Sequence, residues 1–326
     1  MVTIKDIAQR AGVAKSTVSR YLNGGSVSQK TRAKLDEIVK ETGYTPNTFA
    51  QSLKAKHTKM IGMIIPRLDS YSANEVLASI DASLRDQQYQ LLITNANQSI
   101  EREIENIYTL AKQKVAGIIL MATIITEAHR KAIAEVDIPV LLLGQVGEGL
   151  HTISHQEYEA GFTMGSYAKN LGHKKYLYLS VFKEDVAVGQ LRAQGVLDAL
   201  KEGADRTVEV IETSFSFQEA YEQALVILPS TQATFIICAT DNIAMAVLKA
   251  AHTLDMSIPQ QFSLAGFGGY ATTSIVTPSI TTVKYPYKEL GKVAVEQILE
   301  LVSGKPMKEH IALPNRLEIR ESTVPF

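Results

Sequence analysis

TIKDIAQRAGVAKSTVSRYLN, residues 3–23, holds two short helical stretches separated by a glycine. Ile4, Ile7, Ala8, Ala11, Val13 and Val18 recur at helical spacing and supply one apolar face, and Gly12 sits where the chain must turn through a positive φ. The second helix is expected to begin at Ala14 or Lys15. Its first turn, Lys15, Ser16 and Thr17, carries short polar and basic side chains, and Arg20 follows one turn later on the same side. The leading end of a helix that enters a major groove needs these residue types to reach base edges, so the pattern implies a helix-turn-helix that reads DNA.

The stretch that follows supports a small three-helix unit. Ser28 precedes QKTRAKLDEIVKETGY as a candidate N-cap, Leu35, Ile38 and Val39 fall at helical spacing, and Gly43 ends the segment. Lys30, Arg32 and Lys34 lie on a polar face suited to phosphates, which fix register without reading sequence. Residues 1–60 hold eleven Lys and Arg against four Asp and Glu, whereas the remainder holds 22 against 30. The net charge of −1 thus conceals a basic head, which has a polyanion partner in prospect, and an acidic body, which does not.

TIKDIAQRAGVAKSTVSRYLN followed by VSQKTRAKLDEIVKETGYTPN resembles the lactose/galactose repressor (LacI/GalR) family of bacterial transcription factors. The resemblance implies a DNA-facing set of Thr3, Lys15, Ser16, Thr17, Ser19, Arg20, Asn23, Ser28, Thr31, Tyr44, Asn47, Ala50, Leu53 and Lys56. TPNTFAQSLKAKHTK, residues 45–59, reads by itself either as an interdomain linker or as a helix with too little apolar surface to be stable alone. The family pattern of Pro-Asn, then Ala50, then Leu53 favours a hinge helix that orders on DNA. In such a hinge the residue matching Leu53 wedges into the minor groove and kinks the duplex.

From Met60 onward β runs alternate with amphipathic helices. KMIGMIIP, YQLLITNA, VAGIILMA and PVLLLGQ read as strands, with NEVLASIDASLRDQQ and REIENIYTLAKQK as helices between them. A second set repeats the plan through the strands KYLYLSV, TVEVIET, TFIICAT and FSLAGFG and the helices EAGFTMGSYAKNLG, VGQLRAQGVLDALKE, QEAYEQALVIL and DNIAMAVLKAAHTLD. Two α/β lobes with doubly wound parallel sheets are expected, with ligands outside the carboxyl ends of the strands.

The expected organisation is therefore an all-α headpiece over residues 1–46, a hinge over 47–59 and a two-lobed body like the periplasmic binding proteins over 60–326. By the resemblance the chain crosses between lobes near Gln156, Tyr287 and Arg316, dividing an N-lobe of about 60–156 and 288–315 from a C-lobe of about 157–287 and 316–326.

Candidate effector contacts gather in the loops after strands. PRLDSYSANE offers Arg67, Asp69 and Tyr71, a mixture of charge, hydroxyls and an aromatic face suited to a polyol, although Asp69 or Ser72 could equally cap the following helix. The resemblance points to Arg192 in an Arg-x-x-Gly pattern and to Phe215 as a ring that stacks on a sugar, core packing being its other reading. Asp241, at the start of DNIAMAVLKAA, can cap that helix and also accept a ligand hydroxyl. Thr240, Gln145 and Tyr285 complete the set. Two departures from the family stand out, since Gly268 and Gly269, and again Gly144 and Gln145, occupy places where the family often has carboxylates.

No P-loop, nucleophile elbow, complete dinucleotide fingerprint or zinc-spaced His and Cys set occurs, so neither catalysis nor a cofactor or metal is expected. Cys238 is the only cysteine and lies in an apolar run, no run approaches the length of a spanning helix, and no secretory leader is read, which together suggest the cytoplasm. The expectation is a homodimeric repressor of a sugar-utilisation operon that binds a pseudopalindromic operator and answers to a sugar or sugar phosphate held between the lobes. The alternatives are a regulator co-repressed by a purine or a phosphoprotein, or a non-catalytic sugar-binding protein.

Overall fold

The computed structural model describes residues 2–22, 25–44, 58–201 and 206–326, and the chain divides into two compact units, Met1–Thr58 and Lys59–Phe326. In the first, α1 (Ile4–Ala11) and α2 (Lys15–Leu22) precede the longer α3 (Gln29–Thr42). Thr3 and Asp6 form a reciprocal capping box that satisfies the first amides of α1, and Gly12, at φ 66°, ends it in the left-handed conformation. That turn places α2 only three residues beyond α1. Ser28 caps α3 by accepting the Thr31 amide at 3.2 Å. Ile7, Ala8, Ala11, Val18, Leu35 and Ile38 are buried together, with Ile4, Val13, Tyr21, Leu22, Val39 and Tyr44 packed around them. The periodic apolar positions of the sequence thus meet in one small core.

The second unit is built on two six-stranded sheets. The first contains β1 (Met60–Ile65), β2 (Gln90–Asn95), β3 (Gly117–Leu120), β4 (Val140–Leu143), β5 (His151–His155) and β11 (His310–Leu313). Its order is β11-β5-β4-β3-β1-β2, with every pairing parallel. Helices α4 (Tyr71–Asp86), α5 (Ile100–Lys112), α6 (Glu127–Glu135) and α11 (Tyr287–Val302) cover its faces. Ile61, Met63 and Ile65 of β1 point into one core while Ile64 points into the other. A strand buried on both sides reads as a continuous apolar run, as MIGMII does.

The second sheet contains β6 (Lys175–Ser180), β7 (Thr207–Glu212), β8 (Phe235–Cys238), β9 (Ser263–Gly268), β10 (Thr281–Lys284) and β12 (Arg316–Glu318). Its order is β12-β10-β9-β8-β6-β7, and β12 alone runs antiparallel to its neighbour. Around it lie α7 (Glu157–Asn170), α8 (Ala193–Leu200), α9 (Phe217–Ile227) and α10 (Asp241–Thr253).

The chain changes sheet between β5 and α7, between β10 and α11, and between β11 and β12. The first and third crossings are tied together, since the Gln156 amide donates to Leu313 O at 3.1 Å and Asn315 Nδ2 donates to Gln156 O at 2.9 Å.

Several elements escape a reading by hydrophobic period. β5, HTISH, is polar except at its central Ile153, yet Thr152 is buried with its hydroxyl 2.8 Å from His310 Nδ1. In α6 the inward residue is His129, fully buried, with Nε2 2.9 Å from Glu103 Oε2 and Nδ1 in the Thr126 capping box. A buried polar pair makes that helix look solvated from the sequence. The segment after β6, expected as one α-helix, opens instead in π-helical windings over Val186–Arg192 and only then continues as α8.

Candidate functional site

In the head, the first turn of α2 is uncovered. Lys15, Ser16 and Arg20 are exposed, Thr17 and Ser19 are half-buried, and Val18 faces the core. Three expected DNA contacts have structural duties, because the Thr3 and Ser28 hydroxyls serve as helix caps and Thr31 Oγ1 lies 2.8 Å from Ser28 Oγ. Tyr44 packs at the edge of the head core. Asn23, Asn47, Ala50, Leu53 and Lys56, and with them the hinge, lie outside the described residues.

Both sheets of the larger unit present their carboxyl ends to a cavity of about 280 Å³. Both have the strand order in which consecutive connections diverge beside a central strand, β1 in one and β6 in the other, which is where a crevice opens in such folds. The loop after β1 contributes Arg67, Asp69, Ser70 and Tyr71; Thr123 follows β3; Phe182 and Asp185 follow β6; Phe215 follows β7; Thr240 and Asn242 follow β8; Tyr270 follows β9. Aromatic faces set among hydroxyls, an amide and charged groups can stack on a sugar ring and hydrogen-bond its edge.

The wall is anchored by Arg192. Its Nε and Nη2 donate to Glu157 Oε2 at 2.9 and 2.7 Å, and Nη1 donates to Ala239 O at 2.5 Å. The guanidinium lies 5.1 Å from the Phe267 ring centre and 5.0 Å from that of Tyr285, whose hydroxyl donates to the same Glu157 oxygen at 2.7 Å. Burial alone would lower the Arg192 pKa, but Glu157 overrides it and holds the group charged. Two of its five N–H donors remain for a ligand. Close packing of α7 on α8 builds this arrangement. A Cβ on Gly161 would stand 2.1 Å from Arg192 O, and one on Gly195 would stand 2.1 Å from Tyr158 O.

Two contacts bridge the lobes over the cavity. The Tyr71 and Tyr270 rings stack with centroids 4.1 Å apart, and Tyr71 Oη accepts the Ala271 amide at 3.0 Å. Arg67 pairs with Asp69 at 3.3 Å and lies 5.4 Å from the Phe215 ring centre.

This geometry corrects the expectations for Asp241, for the cap of α4, and for Tyr285 and Gln145. Asp241 is fully buried and turned from the cavity, accepting the Tyr270 amide at 2.9 Å and the Thr282 hydroxyl at 2.7 Å, and burial pushes its carboxyl up to about 6. Thr240, rather than Asp241, caps α10, and Ser70, rather than Asp69 or Ser72, caps α4. Tyr285 lies behind Arg192 and Gln145 is buried elsewhere, so neither lines the cavity. Residues missed from sequence include Glu157, Asp185 and Tyr270. Tyr270 had a readable signal, since it adjoins the two glycines in place of carboxylates. A Cβ on Gly268 would meet its ring at 2.4 Å, so the ring fills the volume a side chain there would use.

Residues 3–47 match the family model "Bacterial regulatory proteins, lacI family", and residues 166–323 match a periplasmic binding protein-like domain. The sucrose operon repressor of Staphylococcus xylosus is 39% identical over 96% of this chain and 98% of its own. The chain belongs to the lacI family. Another relative of this lacI-family chain, the HTH-type transcriptional repressor PurR of Pectobacterium carotovorum, is 30% identical over 95% of this chain and 93% of its own. The crystal structure of the Lac repressor bound to ONPG in the repressed state superposes with a TM-score of 0.90 at 25% identity, covering 99% of both chains. As a lacI-family protein it is a DNA-binding transcriptional regulator whose two-lobed α/β body is the effector domain. No helix among its described residues is long and apolar enough to cross a membrane.

Proposed function

We propose that this regulator is a homodimeric, cytoplasmic, non-catalytic repressor of a sugar-utilisation operon. It binds a pseudopalindromic operator and releases it when a sugar occupies the interlobe cavity. The single observation that carries this reading is the cavity itself, walled by Arg192, Phe215, Tyr71 and hydroxyl side chains at the carboxyl ends of both sheets, in a chain with an exposed recognition-type helix. The 39% identity to a sucrose operon repressor makes sucrose, with glucose and fructose, the first ligands to try. A ligand that contacts both lobes can bias their relative arrangement only if it binds the two states with unequal affinity.

The test is selection of duplexes from a random pool by the full-length chain, with and without 10 mM sucrose, glucose or fructose, where ~10 mM far exceeds the micromolar to millimolar range of ordinary small-ligand binding. The expected outcome is enrichment of two half-sites related by a twofold, lost when one of the sugars is present. Absence of a symmetric site, or a site retained equally with all three sugars, refutes the reading.

On the head, Lys15→Ala and Ser16→Ala are expected to change which bases are selected, because both side chains are exposed on the first turn of α2. Lys30→Ala is expected to weaken binding to all duplexes about equally and to flatten the salt dependence by about one counterion. If the Lys15 and Lys30 variants behave alike, α2 is not the reading helix.

A further inference from the structure

We infer that the cavity takes an uncharged sugar, with the Asp185 carboxylate as its hydroxyl acceptor, and turns away the phosphorylated form of the same sugar. This rests on the sugar-binding reading above and concerns the charge that the cavity walls carry.

Each cationic side chain on the wall is already matched. Arg192 is held by Glu157 at 2.7 Å with both groups almost wholly buried, and Arg67 is paired with Asp69 at 3.3 Å and flanked by Phe215. Asp185 has no such partner. Among the described residues no lysine or arginine forms an ion pair with it, and the cation that acts on it, Arg192, is committed to Glu157. Two guanidiniums therefore stand against three carboxylates, and a phosphate dianion would enter a site whose spare charge is negative.

Position reinforces charge. Asp185 is the N-cap of the π-helical segment Val186–Arg192 and accepts the Val188 amide at 2.9 Å. A helix start pointing into a cleft is the usual seat for a phosphate. Here that seat is filled by the protein's own carboxylate, while Ser70 and Thr240 spend their hydroxyls on the amides that open α4 and α10. Burial raises the Asp185 pKa against the pull of the Val188 amide, Arg192 and the Ala187 amide, and two amides leave acceptor sites on a carboxylate still to be met. Sugar hydroxyls are neutral donors and meet that demand without adding charge. Asp185 thus replaces, from a different strand, the carboxylate absent at Gly268 and Gly269.

The experiment is isothermal titration of the full-length chain with sucrose, glucose and fructose, each against its 6-phosphate, repeated on Asp185→Asn and Asp185→Ser. Both substitutions keep a side-chain acceptor for the Val188 amide and remove the charge. Thermal melting confirms that each variant folds. For the sugar that binds, the phosphate is expected to bind at least about tenfold more weakly, and both variants are expected to weaken the neutral sugar by on the order of tenfold while narrowing its advantage over the phosphate. A phosphate that binds as well as its parent sugar, or folded variants that leave both affinities unchanged, overturns the inference and leaves the sugar-responsive repressor intact. If no sugar and no phosphate binds, and operator retention is unaffected by all of them, the underlying reading fails as well.

Discussion

Arg192→Ala is expected to abolish the response of operator binding to sugar and to lower the melting temperature of the larger unit by on the order of 10 °C. The two effects share one cause. Arg192 sits between the Phe267 and Tyr285 rings and satisfies Glu157, itself buried at the start of α7. Removing the guanidinium leaves the Glu157 carboxylate in the interior with the Tyr285 hydroxyl as its remaining side-chain donor among the described residues, a loss worth about 3–5 kcal/mol in comparable buried pairs. The same side chain lines the cavity, so a ligand loses the two donors left to it. Combining Arg192→Met with Glu157→Gln separates the roles. With no buried charge left unpaired, the double variant is expected to recover most of the melting temperature while remaining unresponsive to sugar. Calorimetry and operator anisotropy check both halves, and an Arg192→Ala protein that melts with the parent contradicts the structural role given to the pair.

Leu35→Ala is expected to eliminate operator binding and to leave sugar affinity within about twofold of the parent, a factor worth under half a kcal/mol. Leu35 is fully buried in the head, whose core holds five other buried residues, Ile7, Ala8, Ala11, Val18 and Ile38. Truncating a buried leucine costs about 2–5 kcal/mol, which approaches the whole stability of a unit this small. The larger unit has its own cores, two on the first sheet and one around the second, and does not depend on Leu35. Circular dichroism of the head's helices, anisotropy on an operator duplex and sugar titration read the three expectations in one preparation. Operator binding at parental strength would mean that the head does not rely on the core around Leu35.

Much of this architecture was legible in the chain because it rests on periodicity and turn chemistry. The three helices of the head follow from Ile7, Ala8, Ala11, Val18, Leu35 and Ile38 together with Gly12 and the Ser28 cap, and MIGMII and FIIC could be little else than strands buried on both faces. What stayed hidden was polar material buried by partners far away in sequence. β5 is held by Thr152 and His310, α6 by His129 and Glu103, and the wall of the cavity by Glu157 and Arg192, 35 residues apart. No local pattern announces such pairs, since each residue alone looks like surface. The Asp241 expectation failed for a related reason. A carboxylate at a helix start has an obvious local use, but here Thr240 caps the helix and Asp241 instead ties β8's loop to Tyr270 and Thr282. Asp185 was passed over because its place on the cavity wall depends on the π-helical windings after β6, which redirect the chain where an ordinary α-helix was expected.

Coupling between the cavity and the head is what makes this protein a switch, and thermodynamic reciprocity tests it most directly. With whichever of sucrose, glucose and fructose binds, operator affinity is measured with and without saturating sugar, and sugar affinity with and without saturating operator. The two ratios are predicted to be equal and to fall in the range of about 5–150-fold typical of allosteric coupling, sugar and operator each weakening the other. A sugar that binds the cavity and leaves operator affinity unchanged would contradict it.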